Sequence, residues 1–113
     1  MHELSVAVNI IEIAEENAKK EGIDSVDEIE IEIGEMSGVE LDALEFAMEI
    51  SVKNTVLEKA KRTIILIPGR AKCLDCSFEF DIHDFYSACP ECDSFKYDIV
   101  KGKELRIKSL IVY

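Results

Sequence analysis

Apolar residues recur at steps of three and four along the first twenty positions, which is the spacing of one face of a helix. These positions are Leu4, Val8, Ile11, Ala14 and Ala18, with glutamates and lysines between them. Gly22 follows, and glycine is the residue that most often ends a helix in a left-handed conformation. The pattern predicts an amphipathic helix from Leu4 to about Glu21.

The period then changes to two, which is typical of a half-buried strand. Between Ser25 and Ile33, isoleucines alternate with glutamates: one face holds Ile29, Ile31 and Ile33, and the other holds Glu28, Glu30 and Glu32. Gly34 ends this predicted strand.

A second helix is predicted next. Ser37 and Glu40 have the spacing of a capping box, in which a serine begins a helix and a glutamate bonds back to it. Apolar positions continue the helical spacing to between Val52 and Asn54.

Two further segments favour strands. Thr63 to Ile67 is rich in β-branched residues, which strands prefer, and Pro68 and Gly69 end it. From Leu105 onward, apolar and polar residues alternate again. The small cysteine-containing segment before it cannot bury this last strand, which we therefore expect to join the two earlier ones.

The predicted fold class is α+β, with two helices packed on a three-stranded sheet and an inserted zinc-ribbon module. We expect two domains: residues 1–69 plus 101–113 form the α+β domain, and residues 70–100 form the zinc-binding ribbon.

The insert contains every cysteine of the chain, in two Cys-x-x-Cys pairs: Cys73, Cys76, Cys89 and Cys92. Two such pairs can surround one Zn²⁺ with four thiolates. Few apolar residues lie between the pairs, so a metal is the expected source of local stability. Two disulfides would suit a secreted protein, but no signal-like stretch opens the chain, and a redox dithiol needs only one pair. We expect a structural zinc site and a cytoplasmic protein.

Charge narrows the functions that a zinc ribbon could serve. The 113 residues include 24 acidic and 13 basic ones, giving a net charge of −11. Nucleic-acid binders need basic surface to displace phosphate counterions, so we expect no nucleic-acid role. The apolar runs are too short to span a membrane.

Catalysis is also disfavoured. The only histidines are His2 and His83, and no phosphate-binding loop or zinc-protease motif occurs. Four cysteine ligands would leave zinc no open position. We therefore expect a protein that is not an enzyme.

His2 suggests a second metal site. The Met1 amine, the His2 backbone amide and the His2 imidazole are close enough in the chain to chelate one metal ion. Such nitrogen donors suit Ni(II) or Cu(II). The alternative is that His2 is simply a polar residue near a frayed terminus. Three roles are possible for His83: a metal ligand, a neighbour of the zinc site, or simply an exposed side chain.

Several features together resemble the HypA/HybF family of hydrogenase nickel-incorporation proteins. They are the opening Met1-His2-Glu3, the helix–strand–helix order, the segment Ile31-Glu32-Ile33-Gly34, the two cysteine pairs, and the segment Gly102 to Leu110. The resemblance covers the whole chain.

The resemblance implies a nickel metallochaperone that binds Ni²⁺ at its amino terminus. His2 would be the imidazole ligand, with Met1 and Glu3 contributing backbone nitrogens or, for Glu3, a carboxylate. Zn²⁺ on the four cysteines would be structural. The implied partners are the nickel-dependent GTPase HypB and the large subunit of [NiFe] hydrogenase, with urease maturation proteins and a homodimer as further possibilities. A zinc-ribbon interaction adaptor without a nickel role is the alternative.

Overall fold

The computed structural model of the protein describes residues 3–113. Its elements, in chain order, are α1 (Glu3–Lys20), β1 (Glu28–Gly34), α2 (Leu41–Ser51), β2 (Lys61–Ile67), β3 (Arg70–Cys73), β4 (Glu79–Asp81), β5 (Tyr97–Lys101) and β6 (Leu105–Ile111). The strands form two three-stranded sheets, ordered β2-β1-β6 and β4-β3-β5. The predicted α+β fold with an inserted four-cysteine module is confirmed.

The chain divides into two compact units. The first comprises the described residues through Glu32, together with Val39–Ile65 and Arg106–Tyr113. The second, the ribbon unit, comprises Ile33–Gly38 and Leu66–Leu105. The sequence predicts that residues 70–100 form a separate domain, with boundaries at 69/70 and 100/101. That division into domains stays a prediction.

Helix α1 follows its apolar stripe. It buries Val6, Ala7, Ile10, Ile11, Ala14 and Ala18. At its end, Gly22 has φ +66°, the Gly22 N–H donates to Lys19 O (3.2 Å), and the Ile23 N–H donates to Ala18 O (2.8 Å). This is the Schellman arrangement, in which a left-handed glycine lets the chain satisfy the last carbonyls of the helix. The predicted stop at Gly22 is confirmed.

Strand β1 is the central strand of its sheet. Its isoleucines are fully buried while its glutamates are only partly covered, as the period of two predicts. The Lys61 N–H donates to Asp27 O near one end and the Glu35 N–H donates to Ile67 O near the other, so β1 and β2 are parallel. The Asp27 N–H donates to Ile111 O and the Gly34 N–H to Glu104 O, so β1 and β6 are antiparallel.

The predicted start of the second helix is wrong. Glu40, not Ser37, is the N-cap: its carboxylate accepts hydrogen bonds from the N–H groups of Asp42 (3.3 Å) and Ala43 (2.6 Å). The reason is Gly38, whose φ of +82° is incompatible with the first turn of a right-handed helix. Ser37 instead closes a turn, its N–H donating to Gly34 O.

The ribbon unit has a small core. Strand β3 lies between β4 and β5, and the buried cluster at its core consists of Met36, Ala71, Cys73, Phe80, Ile82 and Cys89. Two of these six are cysteines, and Met36 comes from the segment after β1. Because this core contains so few apolar side chains, it is consistent with the expectation that a metal stabilises the module. Among residues 3–113, no helix is long and apolar enough to cross a bilayer.

Candidate metal centre

The first cysteine pair lies on a tight turn at the end of β3. The Cys73 N–H donates to Phe78 O (2.9 Å), and the Ser77 N–H donates to Cys73 O (3.0 Å). Ser77 adopts φ +64° to complete the turn. Cys76 thereby folds back beside Cys73, which allows both sulfurs to point to one place.

The second pair repeats this turn bond for bond. The Cys89 N–H donates to Ser94 O (2.8 Å), and the Asp93 N–H donates to Cys89 O (2.8 Å). Asp93 has φ +60°, in the left-handed region that aspartate tolerates better than most residues. The Cys-x-x-Cys sequence therefore forms the same structural knuckle twice.

The two knuckles bring the four sulfurs together. All four Sγ atoms lie within 4.8 Å of one another, and Cys73–Cys92 and Cys76–Cys89 are each separated by 3.6 Å. A tetrahedron with Zn–S bonds of about 2.3 Å has sulfur–sulfur edges of about 3.8 Å. The observed separations fit that tetrahedron, so the cluster suits a closed, structural zinc site. Zn²⁺ bound there would crosslink the two knuckles.

Backbone dipoles and neighbouring thiols set the charge of the sulfurs. The N–H groups of Cys76 and Asp75 lower the pKa of the Cys73 thiol to about 7, with help from the Cys92 side chain. The N–H of Ser94 lowers the pKa of Cys92, but burial and the three other thiols outweigh it and raise that pKa to about 12. Since four thiolates in contact repel one another, a divalent cation is needed to hold all of them ionised.

Further hydrogen bonds join the knuckles outside the sulfur cluster. The Leu74 N–H donates to Lys96 O (2.8 Å), and the Ser94 hydroxyl donates to the Asp75 carboxylate. The first knuckle is thus fixed against the chain that leaves the second one.

His83 binds a carboxylate. Its Nδ1 lies 2.9 and 3.0 Å from the two carboxylate oxygens of Glu35, which also accepts the Gly69 N–H at 2.9 Å. The Gly69 N–H first and His83 second lower the pKa of Glu35. Within residues 3–113, the cysteines form the one group of at least three potential metal ligands within mutual reach, and His83 is not among them. Glu35 was not singled out from the sequence, because its partners are distant in the chain.

Of the residues predicted to bind nickel, Met1 and His2 lie outside the described residues. Glu3 begins α1, and its Oε2 accepts a hydrogen bond from the Glu40 N–H (3.1 Å), which ties the start of α1 to the N-cap of α2. This link joins residues 37 positions apart, and no local sequence signal predicts it.

A two-helix α+β fold that carries a four-cysteine knuckle pair defines a small metal-binding protein with a structural metal site. The chain belongs to the HypA family: the family profile described as "Hydrogenase/urease nickel incorporation, metallochaperone, hypA" matches residues 1–112. The family predicted from the sequence is confirmed, and the description of that family names nickel incorporation for hydrogenase and urease.

Individual relatives agree over almost the full length. The hydrogenase maturation factor HypA of Parabacteroides distasonis is 46% identical over 112 residues, which are 99% of this chain and 97% of that protein. HypA of Alkalilimnicola ehrlichii is 38% identical, covering 99% of each chain. The solution structure of the Ni metallochaperone HypA from Helicobacter pylori superposes with a TM-score of 0.73 at 31% identity, covering 99% of this chain and 97% of that one.

Proposed function

We propose that this protein binds Ni²⁺ at its amino terminus and delivers the ion during [NiFe] hydrogenase maturation. His2 supplies an imidazole nitrogen, Met1 and Glu3 supply backbone nitrogens or a carboxylate oxygen, and Cys73, Cys76, Cys89 and Cys92 hold a structural Zn²⁺. The protein acts as a carrier in the cytoplasm and not as an enzyme.

The observation that carries this proposal is the closed geometry of the cysteine cluster. Four sulfurs at tetrahedral separations fill every position that zinc offers. Nickel, the metal of the family, then requires a different donor set. Nitrogen ligands of the kind available at Met1 and His2 suit Ni(II), so the two ions are sorted by ligand type.

The position of Glu3 supports a site at the terminus. Its carboxylate accepts a hydrogen bond from the Glu40 N–H, which fixes Glu3 at the N-cap of α2. The nickel ligands proposed on the two preceding residues would thus adjoin an anchored residue in the chain.

The proposed partners follow from the family. They are the GTPase HypB as a nickel-handling partner and the hydrogenase large subunit as the client, with urease maturation proteins as further clients. A homodimer is compatible with this role. The net charge of −11 favours docking onto basic surfaces of these proteins.

The test is a calorimetric titration of Ni²⁺ into full-length, zinc-loaded protein. His2→Ala should weaken nickel binding at least about tenfold, which is about 1.4 kcal/mol. His83→Ala is the matched control, because it removes the only other histidine, and it should leave the affinity unchanged. Nickel affinity should also fall on acidification, because protons compete for the nitrogen donors.

Equal stoichiometry and affinity in the wild type and His2→Ala would exclude the His2 site and favour an interaction adaptor without a nickel role. An affinity that stays flat from neutral pH to about pH 5 would contradict nitrogen ligands.

A further inference from the structure

Leu74 and Phe95 are the two most exposed of the large apolar side chains in the knuckle segments 73–78 and 89–95. Leu74, in the first knuckle, is 59% exposed, and Phe95, just after the second, is 68% exposed. Neither belongs to the core of the ribbon unit. Folding therefore does not explain these side chains, and a partner would gain their burial.

The chain around them is well fixed. The Leu74 N–H donates to Lys96 O, so the residue after Phe95 is hydrogen-bonded to the first knuckle. The Lys96 N–H donates to the Ser94 hydroxyl (3.0 Å), and that hydroxyl donates to Asp75. Leu74 and Phe95 are thus held on neighbouring backbone segments, which lowers the entropy lost when a partner binds.

Acidic side chains predominate in the two knuckle segments that carry this apolar pair. Asp75, Glu91 and Asp93 are exposed, and residues 73–78 and 89–95 contain no lysine or arginine, while exposed Lys72 and Lys96 flank these segments. Zn²⁺ on four thiolates would add a net charge of −2 at the same place. We name Leu74, Asp75, Glu91, Asp93 and Phe95 the knuckle surface.

We propose that the knuckle surface binds a segment of a partner protein in which a bulky apolar residue is flanked by lysine or arginine. The apolar side chain would pack on Leu74 and Phe95, and the cations would pair with the carboxylates, so that charge sets the partner and orientation. Phosphate backbones and anionic lipid surfaces carry the wrong sign. A second copy of this chain, with its net charge of −11, is also disfavoured as the partner bound at this particular surface.

The probe is a short synthetic peptide in which leucine and phenylalanine alternate with lysine, titrated into full-length, zinc-loaded protein and followed by NMR. Amide signals should shift at residues 74–77 and 91–96. Leu74→Ser combined with Phe95→Ser should weaken binding at least about tenfold. Phe46→Ser with Ile50→Ser, both 56% exposed on α2, is the matched apolar control and should change nothing.

A second pair of variants tests the charge. Glu91→Gln with Asp93→Asn should weaken peptide binding and reduce its salt dependence, whereas Glu12→Gln with Glu16→Gln, exposed on α1, should do neither. A zinc content unchanged from wild type verifies that each variant keeps the knuckles folded.

Three outcomes would overturn the proposal. They are signals that shift across acidic surfaces of the whole protein, equal losses in the two apolar double variants, and undiminished binding of a peptide whose apolar residues are replaced by serine. The experiment contains no nickel, so its failure would leave the amino-terminal nickel site untouched, and failure of that site would leave this surface untouched.

Discussion

At the scale of single residues, Glu35 joins three segments of the ribbon unit. The residue itself follows β1, and its carboxylate accepts the Gly69 N–H of the β2–β3 turn and contacts His83 beyond β4. The charged form of Glu35 is the one that these donors favour, so its pKa lies below its ordinary value of 4.5. A pKa that is lower in the folded state means that ionised Glu35 stabilises the fold.

Glu35→Gln should therefore lower the thermal unfolding midpoint near neutral pH. The stabilisation by Glu35 is present above the unfolded pKa of 4.5 and is lost as the pH falls through the lower folded value. The difference in unfolding midpoint between wild type and Glu35→Gln should then become smaller below pH 4.5. Calorimetry at several pH values, with excess zinc throughout, measures this gap.

Glu49→Gln, on the exposed side of α2, is the control and should track the wild type at every pH. A gap for Glu35→Gln that is constant from neutral to acidic pH would show that the carboxylate acts by packing and not by charge.

At the scale of elements, predictions from sequence succeed where the signal is local. Helix α1 and strand β1 follow their periodicities, and Gly22 ends α1 as its residue type predicts. The cysteine spacing is also local, and it predicts the sulfur cluster. The predicted capping box fails because two local signals compete, and the left-handed Gly38 prevails over Ser37.

Contacts between distant segments could not be predicted in this way. Glu35 and His83 are 48 residues apart, and Glu3 and Glu40 are 37 apart. Strand β3 has only four residues, too few for a period, so its central place between β4 and β5 is fixed by pairing alone. These features depend on the tertiary fold, on which short-range sequence patterns carry no information.

Glycines let the end of β1, the β2–β3 turn and the β5–β6 turn approach closely within the ribbon unit. A Cβ on Gly102 would lie 2.7 Å from Gly69 Cα, and a Cβ on Gly34 would lie 1.9 Å from Gly102 O. Gly102 also has φ +110°. Gly102→Ala should therefore cost about 3 kcal/mol or more, since backbone strain and overlap act together. Urea unfolding of the zinc-loaded protein measures this loss.

Substitutions at two other glycines distinguish backbone strain from steric overlap. Gly22 has φ +66° but open space around it, so Gly22→Ala should cost only about 1–2 kcal/mol. Gly69 has no left-handed φ, yet a Cβ there would lie 2.2 Å from Ile82 O, so Gly69→Ala should also be strongly destabilising. Equal costs for Gly22→Ala and Gly102→Ala would refute the close approach as the cause.

At the scale of the whole molecule, the two units differ in what stabilises them. The described part of the first unit buries the apolar face of α1 together with Ile29 and Ile31, as an ordinary hydrophobic core does. The ribbon unit has a core cluster of six buried residues, of which two are cysteines. Its stability should then depend on the metal, whereas that of the first unit should not.

Removal of zinc should consequently unfold one unit and spare the other. With a chelator at neutral pH, amides in residues 70–100 should lose protection from hydrogen exchange, because four thiols cannot replace the crosslink that Zn²⁺ makes between the knuckles. Residues 33–38 should follow, since Met36 packs in the same core. Amides of α1 and α2 should keep their protection, and added zinc should restore the protection of the ribbon amides.

Cys89→Ser should produce the same pattern without a chelator, because Cys89 is both a predicted ligand and a fully buried core residue. Uniform loss of protection throughout the chain would show that the units do not fold separately, and unchanged protection in residues 70–100 would show that zinc does not stabilise the ribbon.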